Sequence, residues 1–161
     1  MSAENEALLK RFYDAFQARD GEAMAACYAD DVWFSDPVFP ELRGERARDM
    51  WRMLTGRAAD LKVTYELRTV GAERGAVHWE AWYTFSATGR RVHNVIEAAF
   101  DFRDGRIVRH VDTFDFHRWS RQALGMVGLL LGWTSFLQGK GQAQADKALA
   151  AFSAKRPASK T

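Results

Sequence analysis

Near residue 60 the chain changes its hydrophobic period, and that change limits the folds open to it. Before it, apolar residues recur every three or four positions. Leu8, Leu9, Phe12, Ala15 and Phe16 make one stripe on a helix over 4–19. Asp20 can cap a short second helix over 21–28 with Met24 and Cys27 inward, and Met50, Trp51 and Leu54 mark a third over 45–57. Between them, 32–36 reads as a short strand stopped by Pro37. Beyond residue 60 the period is two. Leu61, Val63, Tyr65 and Leu67 alternate with polar neighbours, as do Trp79, Ala81, Tyr83 and Phe85. Val92, Asn94, Ile96, Ala98, Phe100 and Phe102 share one face of a third run, and His110, Asp112, Phe114 and Phe116 share one face of the last. Short glycine-bearing connectors at 71–75, 87–90 and 104–105 make these runs antiparallel hairpins. Helices followed by a meander predict an α+β fold, with the helices packed on one face of a curved, mainly antiparallel sheet.

Composition narrows the class. A chain of 161 residues is one domain's worth, with an expected core over about 4–116 and an appended segment and helix over about 117–155. One cysteine, Cys27, excludes a disulfide scaffold, and the acidic start MSAENEALLK lacks a signal-peptide pattern. The longest apolar run, 125–133, is too short to span a membrane, so a cytoplasmic protein is expected, and a net charge of +2 gives no electrostatic case for nucleic acid or a membrane as partner. The apolar run 125–133 reads as a core cover or dimer contact, or alternatively as a pocket lid. A terminal helix is expected over 142–152 and a frayed tail over 155–161.

The polar residues on inward faces are the candidates for chemistry. Asp36 points with Val32 and Phe34; Asn94 lies among Val92, Ile96 and Ala98; His110 and Asp112 precede Phe114. A buried carboxylate without a partner costs several kcal/mol, so this group needs partners, water or a cavity. Two residues apart on one strand, His110 and Asp112 stand roughly 7 Å apart and can grip one small ligand or pair with each other. Such surroundings shift pKa values and suit general acid/base work, while a satisfied structural network is the competing reading. His78, Glu80, His93 and Glu97 fall on the opposite face, toward solvent or a subunit interface. Arg43, Arg46, Arg48, Arg52 and Arg57 read as a solvated face, with an anionic ligand as the alternative. There is no phosphate loop, nucleophile elbow or paired-cysteine metal motif, and no metal or cofactor is expected.

The order of three helices, the Tyr28-Ala29-Asp30-Asp31 to Asp36-Pro37 segment and a closing run FRDGRIVRHVD over 102–112 resembles the nuclear-transport-factor-2-like superfamily. The closest branch is the SnoaL-like, polyketide-cyclase-like proteins. The resemblance covers roughly 4–116 and implies a cone-shaped α+β barrel, a ligand cavity between helices and sheet, and a homodimer. It also places Asp36 at the position of the proton-abstracting aspartate of ketosteroid isomerases, and Asp112 at an acid/base position of the cyclase-like branch. Phe12 and Ala98 stand where the isomerases carry their oxyanion donors, so that activity itself is not expected. Asn94, Ile96 and Ala98 do not complete the aspartate–arginine set of limonene-epoxide hydrolases. The resulting expectation is a cofactor-free isomerase, cyclase or hydrolase for a small apolar carbonyl compound. Asp36, His110 and Asp112 would be catalytic, with Phe12, Phe34, Trp51, Tyr83, Asn94, Phe100 and Phe114 around the ligand. The alternative is a non-catalytic binding or association module of the same fold.

Overall fold

The computed structural model describes residues 2–132 and 134–155. Its first helix, α1, spans Ala3–Gln17; Ser2 caps it, its side chain accepting from the Asn5 N–H. The stripe read from sequence is its buried face, and it includes Tyr13 as well as Leu8, Leu9, Phe12 and Phe16. Helix α2 is shorter than expected, Gly21–Ala26, because strand β1 already begins at Tyr28 and runs to Ser35. A two-residue strand, β2 (Leu42–Arg43), precedes α3 (Glu45–Arg57). The meander follows as β3 (Lys62–Val70), β4 (Arg74–Phe85), β5 (Arg90–Arg103) and β6 (Arg106–Thr113). The β5–β6 turn uses Asp104 and Gly105, both at positive φ (53° and 74°), which matches the twist of a tight antiparallel hairpin.

The sheet is open, in the order β2-β1-β6-β5-β4-β3. All neighbours are antiparallel except β1 and β6, which run parallel with Phe34 opposite His110 and Ser35 opposite Val111. Between Tyr28 and Trp33 the register shifts, so β1 bulges off β6 and exposes Asp30 and Asp31. Helices α1 and α3 lie over one face, where Leu9, Phe12, Tyr13, Met50, Val32, Phe34, Val77 and Ile107 have no exposed surface. The result is the expected α+β layer, a helical face on a curved six-stranded sheet.

Strand β6 ends at Thr113, so Phe114 and Phe116 leave the sheet. Asp115 caps α4 (Phe116–Leu124) by accepting from the Arg118 N–H, and that cap ends the strand three residues early. The apolar run becomes α5 (Met126–Leu131), and the terminal helix α6 (Ser135–Lys155) starts seven residues before the expected position. Trp133 and the tail 156–161 lie outside the described residues, so the end of the apolar run and the expected fraying are not seen. The arginines around α3 are mostly matched by acids: Arg46 by Asp146, Arg48 by Glu45, and Arg52 by Glu22, Glu45 and Asp49.

Packing between α2 and α3 depends on Gly21. A Cβ there would lie 2.7 Å from the Arg52 Cα and 2.7 Å from the Thr55 Oγ1, whereas a Cβ on Gly139 of α6 meets nothing within 4 Å. Gly21→Ala is therefore expected to destabilise by about 1–3 kcal/mol through overpacking. Gly139→Ala should be neutral or stabilising by up to about 1 kcal/mol, because it only removes backbone freedom. Thermal melting of the two variants checks both signs.

Candidate functional site

Parallel pairing of β1 with β6 assembles the inward polar residues. Phe34 lies opposite His110 and Ser35 opposite Val111, so the next residue, Asp36, comes alongside Asp112. His110 has no exposed surface and Asp112 only 4%. Their side chains meet directly, His110 Nε2 to Asp112 Oδ1 at 2.8 Å. The same oxygen accepts from the Trp79 indole N–H at 3.2 Å. On the other side of the ring, His110 Nδ1 lies 2.7 Å from the Tyr28 hydroxyl, which in turn accepts from the Trp51 indole at 2.7 Å. One arrangement gives every proton an acceptor. Tyr28 donates to Nδ1 of a neutral imidazole, and Nε2–H donates to the Asp112 carboxylate. Burial pushes the Tyr28 phenol well above its ordinary range, with the Asp112 charge adding to it, so Tyr28 acts as a proton-holding donor and not as a phenolate.

Aromatic rings enclose this chain. Phe100 and Phe34 lie 4.3 and 5.0 Å from the His110 ring, Phe12 at 5.6 Å and Trp51 at 6.0 Å, stacked. All four are buried, so these predicted wall residues pack on His110 itself. Tyr83, Asn94 and Phe114 are half-buried. The Tyr83 hydroxyl accepts from Trp119 at 2.7 Å, which ties α4 to β4. Asn94 makes no side-chain hydrogen bond among the described residues. Along β5 it stands four residues from Ala98, the partner of Asp112, roughly 13 Å up the strand.

Asp36 closes a turn. Its Oδ1 accepts from the Val38 and Phe39 N–H groups at 2.7 and 2.6 Å, while its own N–H donates to the Phe39 carbonyl at 2.8 Å. Helix α6 covers the next residue, for Gln138 and Gln142 both donate to the Pro37 carbonyl at 3.0 Å. Burial is the largest influence on the Asp36 carboxyl. Against the two turn N–H bonds, burial and the neighbouring Asp112 charge raise it to about 7. Oδ2 of Asp36 and Oδ2 of Asp112 accept no hydrogen bond among the described residues.

Sequence reasoning missed three participants. Tyr28 and Trp79 complete the His110–Asp112 chain, and Tyr13 has a fully buried hydroxyl with no partner among the described residues. Tyr13 packs on Tyr65, Trp79 and Phe100, and both burial and the charge of Asp112 hold its phenol protonated. Its position one residue past Phe12 on the apolar stripe was the available signal. A phenol O–H in such a place calls for a water or ligand oxygen. Two surface concavities include none of Asp36, His110 and Asp112. The larger, about 590 Å³, is lined by Leu8, Arg11, Cys27 and Arg106 among others. The second lies at 28–30 and 103–106. The outward histidines are paired: His78 with Glu97 at 2.5 Å and with Glu80, and His93 with Glu80.

A model of the SnoaL-like domain matches residues 9–110, well over half of the sequence. The chain belongs to the SnoaL-like domain family. No curated protein matches it in sequence. Among solved structures, this SnoaL-like chain is similar to a candidate polyketide cyclase from Silicibacter sp. TM1040, at 22% identity and a TM-score of 0.66 over 73% of this chain and 93% of that one. It is also similar to an LEH-like epoxide hydrolase of M. tuberculosis, at 23% identity and a TM-score of 0.61 over 81% and 97%. TerC co-crystallised with polyporic acid gives 19% identity and a TM-score of 0.60 over 73% and 98%. At these identities the likeness is one of fold. The family match ends at His110, before α4 begins.

The Asp36 carboxyl fixes the sign of a pH effect. Its native value of about 7 lies above the ordinary 3.8, so the folded state binds the extra proton between those limits. Its contribution is favourable at low pH and is lost as pH rises through 7. Asp36→Asn keeps the oxygen that accepts from Val38 and Phe39 and removes the charge. Its stability relative to the parent is expected to rise between pH 4 and 8 by about 3 kcal/mol. Denaturant unfolding of both proteins across that range measures the difference.

Proposed function

We propose that this SnoaL-like chain is a cofactor-independent acid/base enzyme acting on a small apolar carbonyl compound, by isomerisation, cyclisation or addition of water. The observation that carries the reading is the pair of neighbouring carboxylates, each with one oxygen that accepts no hydrogen bond among the described residues; burial raises Asp36 to about 7. A base is most effective when its pKa lies near the working pH, because it is then both ionised and basic enough to take a proton. Asp36 removes a proton from carbon next to the carbonyl, and the Tyr13 hydroxyl, without an acceptor among the described residues, donates to the carbonyl oxygen as charge builds there. Asp112, held by His110 and Trp79, keeps the Asp36 carboxyl basic through its charge and orients the substrate. Half-buried Asp36, Tyr83, Asn94 and Phe114 form the entrance, and His110 with Tyr28 holds the Asp112 carboxylate in place. The candidate polyketide cyclase and the LEH-like hydrolase among its structural neighbours agree with such chemistry.

A second reading, a non-catalytic binding module, draws support from the dense ring packing around His110. Exchange of carbon-bound protons separates the two, since it needs a base and no complete reaction. A panel of apolar ketones in D2O, followed by NMR, should show enzyme-dependent deuterium incorporation that rises with pH about a midpoint near 7. Asp36→Asn should lower it by about 10²–10⁴-fold. Tyr13→Phe should lower it without moving the midpoint. Ketone binding, seen as line broadening, with exchange no faster than in Asp36→Asn would favour the binding module.

A further inference from the structure

Among the described residues, the large exposed hydrophobic side chains are concentrated at one place. Met126, Val127, Leu129, Leu130 and Leu131 of α5 and Phe136 at the start of α6 expose between 43 and 73% of their surface; Leu54, at 37%, is the only other. Of the six residues of α5, only Gly128 is buried. Two close approaches hold the helix this way. A Cβ on Gly128 would lie 1.9 Å from the Ser120 carbonyl oxygen, and one on Gly132 would lie 1.9 Å from the Ser120 hydroxyl. The glycine face of α5 is thus pressed on α4, and the leucines and methionine have no way in. Monomeric soluble proteins rarely leave so concentrated an apolar patch without a use for it.

Along the segment that carries the patch, between Asp115 and Asp146, the charge has one sign. From Phe116 to Ala145 the chain carries Arg118, Arg121 and Lys140 and no Asp or Glu. Arg121 is exposed one turn before Gly125. Arg90 reaches in from β5, its guanidinium 3.3 Å from where a Gly125 Cβ would be, and its Nε donates to the Gln122 carbonyl at 2.7 Å. Lys140 stands four residues after Phe136 on α6, so the two share a helical face. The net charge of +2 for the whole chain conceals this local excess.

We propose that α5 and the start of α6 form a docking tip for an anionic lipid bilayer, with the side chains of Met126, Val127, Leu129, Leu130, Leu131 and Phe136 entering the headgroup boundary and Arg90, Arg121 and Lys140 meeting lipid phosphates or carboxylates. The sign of the rim decides against a second copy of the chain. A two-fold contact through this patch sets one cationic rim against the other, with no acid in the segment to answer it. An anionic surface satisfies the apolar tip and the basic rim together, each basic residue adding attraction that salt screens. No helix among the described residues is long and apolar enough to cross a membrane, so the contact is peripheral. It departs from the expectation, drawn from net charge alone, that no membrane is involved.

Vesicle sedimentation tests the proposal on the full chain. The probes are sucrose-loaded vesicles of phosphatidylcholine with about one-third phosphatidylserine, and of phosphatidylcholine alone, in about 0.1 M and about 0.5 M salt. The expected result is pelleting with the phosphatidylserine vesicles, weakened about tenfold by the higher salt and about tenfold by Arg121→Glu or Lys140→Glu. Met126→Asp combined with Phe136→Asp should abolish pelleting while leaving the melting temperature unchanged, since both side chains are exposed. No pelleting of the parent protein overturns the proposal, and so does pelleting that ignores lipid charge and the arginine and lysine changes. A dimer in light scattering that the double variant converts to monomer, without vesicle binding, also overturns it and assigns the patch to self-association.

Discussion

The parallel contact between β1 and β6 is the interaction on which the rest of the structure depends. The other strands of the meander are joined by short hairpins and pair with chain neighbours. β1 must return across more than seventy residues to lie on β6. The entropy of closing that loop grows only slowly with its length, and burial of Val32 and Phe34 without exposed surface offsets it. The register then fixes the chemistry. It puts the Tyr28 hydroxyl on one nitrogen of His110 and the Asp36 carboxyl beside Asp112, so a one-residue slip would turn both groups away.

Within the buried polar cluster, satisfied and unsatisfied atoms have different meanings. Trp51, Tyr28, His110, Asp112 Oδ1 and Trp79 form a continuous chain in which each proton has an acceptor. Such a chain, enclosed by Phe12, Phe34 and Phe100, is strengthened by the low polarity around it and is a rigid scaffold. Left over, among the described residues, are the Tyr13 hydroxyl and the second oxygens of the two aspartates. Those are the atoms at which a ligand can be recognised without first breaking a protein hydrogen bond. The scaffold positions them, and its loss would be felt mainly through stability.

How far this arrangement was legible depends on the range of the interactions involved. The period-two pattern of β3 to β6 and the inward direction of His110 and Asp112 follow from local alternation, and both stand in the structure. Asn94 follows the same pattern, but the β5 register sets it well away from Asp112. Tyr28 was hidden because it sits where a helical reading of 21–28 ends and a strand begins, and only the bulged pairing with β6 gives it a role. No local pattern distinguishes a parallel partner from an antiparallel one. Phe114 and Phe116 continued the alternation perfectly, yet the Asp115 cap took the chain into α4. The apolar run 125–133 has no strand alternation, and its helix rests on glycines chosen for close approach to Ser120, a tertiary requirement.

The three C-terminal helices lie beyond the family match, and their attachments are uneven. The rear of α6 is anchored on α3: Leu149 has no exposed surface, the Ser153 hydroxyl donates to Asp49 at 2.6 Å, and Arg46 pairs with Asp146. The front is attached to the loop after Asp36 by Leu137 and by the two glutamines on the Pro37 carbonyl. Hydrogen bonds of that kind contribute about 0.5–1.5 kcal/mol each, against a whole-domain stability of about 5–15 kcal/mol. The segment that covers Asp36 is therefore held more weakly than the fold it covers. Local opening at the front of α6 costs only part of the free energy of unfolding, and it exposes the carboxyl that burial has raised to about 7.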